Sequence, residues 1–553
     1  ESWVLPAIVT DFKKNQKAGL ESDFARVDTM RSSFISFTDW DTAAEEIARM
    51  EKIKKKDIVR VAEKYFSGGY ISGRRLDEQQ EVPSIEKPQI DAVAIDPTRQ
   101  SEFAKQILAM HVDPIEPVFV DPETDYEVVE YPQGVKLYYA PNPLNDLFSF
   151  SIIVEFGTFE DNTIGVSTAL LDKSGTKKFS AEDLKKEWYK LGTDAAVNAG
   201  DNESYIRISG LDENFEKSLS LLLEWVRDPK TDDETLETLK QIIMVSREDE
   251  KKDPGSLSRA LSQYNRFGAE SSYLRRLPSA ELASLTADEV LGVVRDLLGY
   301  KHVIVYTGSL PLNEVERIVA KLHPLPDDLK DPPPYRFLRS REPASTELLF
   351  FDKEMAQAQV RLEYPSGEYD ESIRLPASLY NSYFAGGMSG IVFQELREAR
   401  ALAYSAGALY HVGTRIDDEN LMIGAIGCQA DKTPEAVAAF IDLMDNLPES
   451  PERMDEVLRS MDNDYRTSKI GFRGVIGAVR AWEKWGVEPD PREKEFEALK
   501  NANLDTVLAF HKERVKGRPK LVSIVGDKNR IDMNALSEFG TVSEVSVADL
   551  FVD

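Results

Sequence analysis

The sequence predicts an α+β protein of tandem homologous lobes, each a mainly antiparallel sheet packed against helices. Three observations carry this reading. Similar segments recur along the chain, short β-rich runs precede amphipathic helices in each recurrence, and proline-rich stretches separate the recurrences.

The recurrences can be followed in order. VLPAIVTDF at 4–12 and VLRSMDNDY at 457–465 superpose Val4, Leu5, Asp11 and Phe12 on Val457, Leu458, Asp464 and Tyr465 without a gap. KKKDIVRVAEKYF at 54–66, TADEVLGVVRDLL at 286–298 and NLDTVLAFHKERV at 503–515 resemble one another. Each holds an aspartate followed by apolar residues at helical spacing. Asp57, Asp288 and Asp505 are read as helix-start residues, because a short carboxylate can accept from free N–H groups of a first turn. The second and third copies lead into HVIVYTG (302–308) and LVSIVG (521–526), and the first into the weaker YISG (70–73).

A helix is predicted over 212–228, where Phe215, Leu219, Leu222 and Val226 share one face. A second is predicted over 433–447, opened by Thr433 and Pro434 and lined by Val437, Phe440, Ile441 and Met444. Strands are read at 134–140, 147–157 and 203–210, and again at 348–351, 358–364 and 421–427.

These elements set the expected boundaries. Residues 1–82 read as the closing half of one lobe and 83–124 as a Pro/Asp/Glu-rich linker holding one short helix, SEFAKQILAM. Residues 125–322 read as a complete lobe, 323–344 as a second connector and 345–553 as another complete lobe. A chain that opens on half a lobe is expected to be a piece of something longer, such as a cleavage product.

Composition removes several classes. Net charge is −29 with no concentrated basic patch, which argues against nucleic acid. No apolar run approaches the roughly 18 residues of a membrane span. The acidic balance reads as a solvated surface, or as a field that steers basic peptides. The single cysteine, Cys428, lies in an apolar run and reads as a buried thiol. Periplasm and cytoplasm both remain open as the compartment.

The most informative segment is YFAGGMSGIVFQELREARALAYSAGA at 383–408. Its glycines do not form a phosphate loop, since no Lys-Ser/Thr follows them, and read as a tight turn before a helix. Phe393, Arg397, Leu402 and Tyr404 keep the spacing F-x-x-x-R-x-x-x-x-L-x-Y, and here the segment resembles the pitrilysin/insulinase family of zinc metallopeptidases, the inverzincins. The likeness in lobe order extends over nearly the whole chain. It implies the end of lobe two, the linker between halves, then lobes three and four of a four-lobed protein.

The same resemblance places the chemistry elsewhere. The family's HxxEH motif supplies two histidine ligands and a water-activating glutamate, with a further glutamate downstream. The corresponding segment here, GVSTALLDKSGT at 165–176, has Thr168 and Asp172 at the histidine positions and Leu171 at the glutamate position. Glu248 stands near the third-ligand position. The five histidines (111, 302, 323, 411 and 511) are too far apart for any HxxEH. Lobe three is therefore read as a degenerate copy with no catalytic or metal-binding residue. Zn2+ is expected in the intact protein, held by an N-terminal half outside this chain.

On the residues alone, Arg397 reads equally as a helix-surface ion-pair partner and Tyr404 as a core tyrosine with its hydroxyl at the rim. The resemblance implies that both hold peptide substrate. The implied partners are an N-terminal catalytic half or catalytic subunit and a peptide substrate. A non-catalytic structural subunit of the same family is the alternative.

Overall fold

The structure is a computed structural model that describes residues 2–76, 101–487 and 489–553. Residues 77–82 of the expected half-lobe and 83–100 of the expected linker lie outside the described residues. SEFAKQILAM forms the Glu102–Leu108 helix.

The described N-terminal part is helical and includes α1 (Val4–Gly19) and α2 (Lys55–Phe66). Two six-stranded mixed sheets follow, and the α+β expectation holds. The first contains β1 (Glu127–Glu130), β2 (Lys136–Pro141), β3 (Leu147–Val154), β4 (Asp194–Ala199), β5 (Ser204–Leu211) and β6 (His302–Gly308), in the order β1-β2-β6-β3-β5-β4. The second contains β7 (Glu347–Asp352), β8 (Gln357–Glu368), β9 (Ala403–His411), β10 (Glu419–Gln429), β11 (Leu521–Gly526) and β12 (Thr541–Glu544), in the order β12-β7-β11-β8-β10-β9. Among the named strands, parallel pairing is confined to β2–β6, β7–β11 and β7–β12. YISG carries no strand pairing.

Each sheet is covered on one face by helices of its own lobe. The first lobe's helices include α3 (Thr163–Leu171), α4 (Phe215–Arg227), α5 (Asp233–Glu250), α6 (Pro254–Phe267) and α7 (Ala287–Asp296). Leu219, Leu222 and Val226 of α4 and Val290 and Val294 of α7 are buried with Ile152, Ile206 and Ile304 of the sheet. The second lobe's helices include α8 (Arg374–Ala385), α9 (Thr433–Asp445), α10 (Pro451–Thr467), α11 (Val475–Trp485) and α12 (Leu504–Arg514). Tyr380 and Phe384 of α8, Val437 and Phe440 of α9, and Val507 and Phe510 of α12 pack on Val360, Leu362 and Ile524. Each such side chain contributes roughly 1.5–3 kcal/mol on burial.

The helix starts differ in detail from the sequence reading. On α2, Asp57 accepts from the Lys54 N–H at 3.1 Å, as an N-terminal carboxylate should. On α7 and α12 the aspartate does not cap. Thr286 and Glu289 form a reciprocal capping box on α7, and Asn503 and Thr506 do so on α12. Asp288 instead accepts from Arg295 at 2.8 Å. The residue with extended backbone just before the helix takes the cap, and an aspartate two residues into the helix is too late for it.

The other face of each sheet is covered by a helix from the opposite lobe. Leu257, Ala260 and Leu261 of α6 pack with Phe351 and Val525 of the second sheet. Val475, Ile476, Val479 and Trp482 of α11 pack with Tyr138 and Ala140 of the first. This exchange explains why HVIVYTG and LVSIVG read as nearly continuous apolar runs, since strands covered on both faces need no polar alternation.

Candidate functional site

The glycine-rich segment links α8 to β9. An added Cβ at Gly386 would sit 2.2 Å from the Ser382 carbonyl oxygen, and one at Gly390 would sit 2.6 Å from the Gly386 nitrogen. The turn is therefore closed to any larger residue. The chain then forms one short helical stretch, Ile391–Phe393, and widens into a π-helical stretch, Gln394–Ala399. Ile391, Val392 and Leu396 are buried in the lobe's core and anchor the helix. The reversal into β9 runs through Ala401 in the left-handed region (φ 49°) and is closed by the Leu402 N–H donating to the Leu396 carbonyl at 3.0 Å.

Both expected substrate-holding residues sit at backbone irregularities of this segment. Arg397 lies in the π-helical stretch, exposed. Its guanidinium lies 4.8 Å from the centre of the Phe393 ring, and its Nε is 3.7 Å from a Glu398 carboxylate oxygen. Tyr404 lies where the β9–β10 register shifts. Ala403 faces Cys428 and Ser405 faces Gly427, so Tyr404 is the extra residue of a β-bulge. β9 is an edge strand, and Tyr404 is 75 % exposed. It is thus not the core tyrosine that its apolar surroundings in the sequence allow. A π-stretch and a bulge each re-aim one side chain without disturbing the elements around it. No sequence signal marks either irregularity.

The four positions that align with the zinc motif do not fit a metal. Leu171 is fully buried in the first lobe's core and has no donor atom. The Thr168 hydroxyl donates to the Gly165 carbonyl at 3.1 Å. Asp172 lies 3.9 Å from the ammonium groups of both Lys173 and Lys185, and Glu248 pairs with Lys251 at 2.6 Å. Among the described residues, no group of three or more His, Cys, Asp or Glu side chains could hold a metal ion.

Folding does bring two of the scattered histidines together. His323 Nε2 and His302 Nε2 are 3.0 Å apart and buried. Arg227 can only donate, so His323 Nδ1 accepts from it at 2.9 Å. The His323 proton then sits on Nε2 and is donated to His302 Nε2, while His302 Nδ1–H donates to the Tyr300 carbonyl at 2.7 Å. Both rings are neutral in this chain of bonds. Burial pushes His323 down to about 3, with the neighbouring His302 ring and the Arg227 charge adding to the effect. Burial likewise lowers His302. The pair is structural.

Comparisons with known proteins agree with this anatomy. Residues 284–461 match the family model of the peptidase M16 inactive domain. A protein of Streptomyces coelicolor described as an uncharacterized zinc protease is 23% identical over 362 residues, covering 64% of this chain and 78% of that protein. One of Rickettsia felis with the same description is 23% identical over 302 residues, covering 51% and 69%. Among solved structures, a peptidase M16 inactive domain from Pseudomonas fluorescens superposes with a TM-score of 0.61 at 17% identity, over 74% of this chain and 99% of that one. A variant of the ferredoxin protease FusC, solved in complex with Arabidopsis ferredoxin, gives a TM-score of 0.60 at 11% identity, over 92% of this chain and 58% of that one. Over residues 284–461 the chain is thus similar to the inactive, non-catalytic domain of the M16 zinc peptidases, and its fold is that of solved M16 inactive domains. Among the described residues, no helix is long and apolar enough to cross a membrane.

Proposed function

We propose that this chain forms the non-catalytic wall of a closed chamber in which a zinc peptidase hydrolyses peptides, with zinc and the catalytic glutamate supplied by an N-terminal half or a separate catalytic chain. When bound there, zinc supplies the activated water. The residues of this chain bind and orient. Arg397 and Tyr404 donate hydrogen bonds to substrate carbonyl oxygens, where a guanidinium and a phenol can also oppose developing oxyanion charge. The observation that carries the reading is their placement. Two strong donors stand exposed at a π-stretch and a β-bulge joined by one tight reversal, on a chain whose zinc-motif position has become a core leucine.

The half-lobe supports the need for a partner. Val290, Leu291 and Val294 of α7 are buried, whereas Ile58, Val59, Val61, Tyr65 and Phe66 of the related α2 are exposed, Phe66 by 83 %. A helix with that much bare apolar surface fits a further sheet-and-helix unit that would cover it. The test is to combine the chain with its catalytic half. Tyr404→Phe and Arg397→Ala are each expected to lower kcat/KM by roughly tens to thousands of fold, with folding retained. Wild-type turnover in both variants would refute the assignment and leave the purely structural subunit.

A further inference from the structure

The two exchanged helices do not cover their sheets equally. Between α11 and the first sheet lies a half-open cavity of about 880 Å³. Its floor is one face of three adjacent strands. Ser149 and Ser151 of β3, Thr307 of β6 and Arg207 of β5 point into it, with Ser149 paired to Thr307 and Ser151 to Arg207 across the strands. The roof is α11, which contributes Arg480 and Lys484, four residues apart and so on one helix face.

The charge balance inside is unlike that of the chain. The lining holds Arg207, Arg415, Arg473, Arg480 and Lys484 against the carboxylates Asp201 and Glu203, in a protein of net charge −29. Arg473 is held by Glu21 at 2.7 Å and Arg415 reaches Glu155 at 3.4 Å. One carboxylate serves several of the cations. Glu203 lies 2.6 Å from Lys484, 3.5 Å from Arg480 and 3.8 Å from Arg415. Burial would push the Glu203 carboxyl up, but hydrogen bonds from Lys484 and Tyr205 and the charges of Lys484 and Arg480 hold it below the ordinary carboxylate range. Arg207 has no ion pair among the described residues and stacks 4.2 Å from the Tyr205 ring centre. The hydroxyls of Ser149, Ser151 and Thr307 have no hydrogen-bond partner among the described residues.

Cations gathered in one half-open cavity repel one another and favour an anion between them. Fixed guanidinium forks beside free hydroxyls are donor-only or donor-ready groups that match oxyanions. The spread of donors over floor and roof requires several anionic oxygens, beyond what one monovalent ion offers. We infer that the cavity between α11 and the β5-β3-β6 face is a binding site for a small multivalent oxyanion, a condensed phosphate or a polycarboxylate. The floor hydroxyls and Arg207 hold one end, Arg480 and Lys484 the other. Occupancy ties the two lobes together, because floor and roof come from different lobes. This inference stands apart from the proposed role in peptide hydrolysis.

The test is isothermal titration calorimetry on the whole chain at low ionic strength, with sodium tripolyphosphate in one arm and citrate in the other. One equivalent of either anion is expected to bind. Arg207→Gln and Arg480→Gln should each weaken binding about tenfold, as loss of one charge-assisted bond requires. Glu203→Gln removes the competing carboxylate and should tighten binding, which a damaged fold does not produce. Absence of binding with both anions overturns the site, and so does binding that Arg207→Gln and Arg480→Gln leave unchanged while melting as wild type. Arg207 is exposed, so its variant keeps the experiment decisive if Arg480→Gln fails to fold.

Discussion

Helices α6 and α11 hold the same place in the two lobes, each crossing onto the opposite sheet, yet they do different work. α6 seals its contact. Leu257, Ala260 and Leu261 are fully buried, and the polar groups beside them are matched. Ser262 donates to Glu363 at 2.6 Å, and the Asn265 amide donates to Ser523 Oγ at 3.1 Å and the Val522 carbonyl at 3.2 Å. α11 buries Val475, Ile476, Val479 and Trp482 along one stripe but presents Arg480 and Lys484 along another, over a sheet face of serines and a threonine. One crossing is a joint and the other leaves a chamber. The difference follows from side-chain choice on a shared scaffold: leucine, alanine and serine close the gap, while long cations above short hydroxyls hold it open.

Truncation in the sealed joint should do the most harm. Leu261→Ala is expected to cost about 2–5 kcal/mol, the range for deleting a buried leucine side chain that its neighbours cannot replace. Urea denaturation would show it, and a loss well below 1 kcal/mol would mean that the α6 contact is not close-packed. On the other side, Ile476→Val removes one methylene beside a cavity and should cost only about 0.5–1.5 kcal/mol. The crossings are compared by like truncations, and equal losses in Leu261→Ala and Ile476→Ala would erase the contrast between them.

The smallest effect comes from the His302–His323 pair, and it is read from the acid limb of stability. Unfolded histidine titrates near 6.5, whereas His323 in the fold is pushed down to about 3 and His302 is also lowered. Between those values the unfolded chain binds more protons. The neutral pair's contribution is therefore complete above about 6.5 and is lost as pH falls towards about 3. His323→Gln is expected to flatten this acid limb in a series of thermal melts from pH 7 to pH 4. An unchanged limb would show that the pair does not carry it.

Much of the architecture was legible because the hydrophobic period is written locally. The α4 face of Leu219, Leu222 and Val226 and the runs of β6 and β11 needed no partner to be recognised. The short strands β1, β4 and β12 went unread, since four to six residues with little apolar alternation look like loop until a neighbour supplies hydrogen bonds. The spacing of Arg397 and Tyr404 was visible, but not the bulge that exposes Tyr404, because a register shift exists only between two strands. The cavity was hidden for a related reason. Ser149, Arg207 and Arg480 each look like ordinary surface residues, and only the exchange of helices gathers them.

By itself, the sequence determined the α+β class, the longer strands, the helices at 54–66, 212–228, 286–298, 433–447 and 503–515, and the replacement of the metal motif by threonine, leucine and aspartate, because these depend on residue type and local periodicity. The tertiary structure decided which helix covers which sheet, how Tyr404 is aimed, that His302 meets His323, and where positive charge collects in an acidic chain. Those are relations between residues far apart along the chain. They arise from burial and hydrogen-bond matching between whole elements, which no single segment encodes.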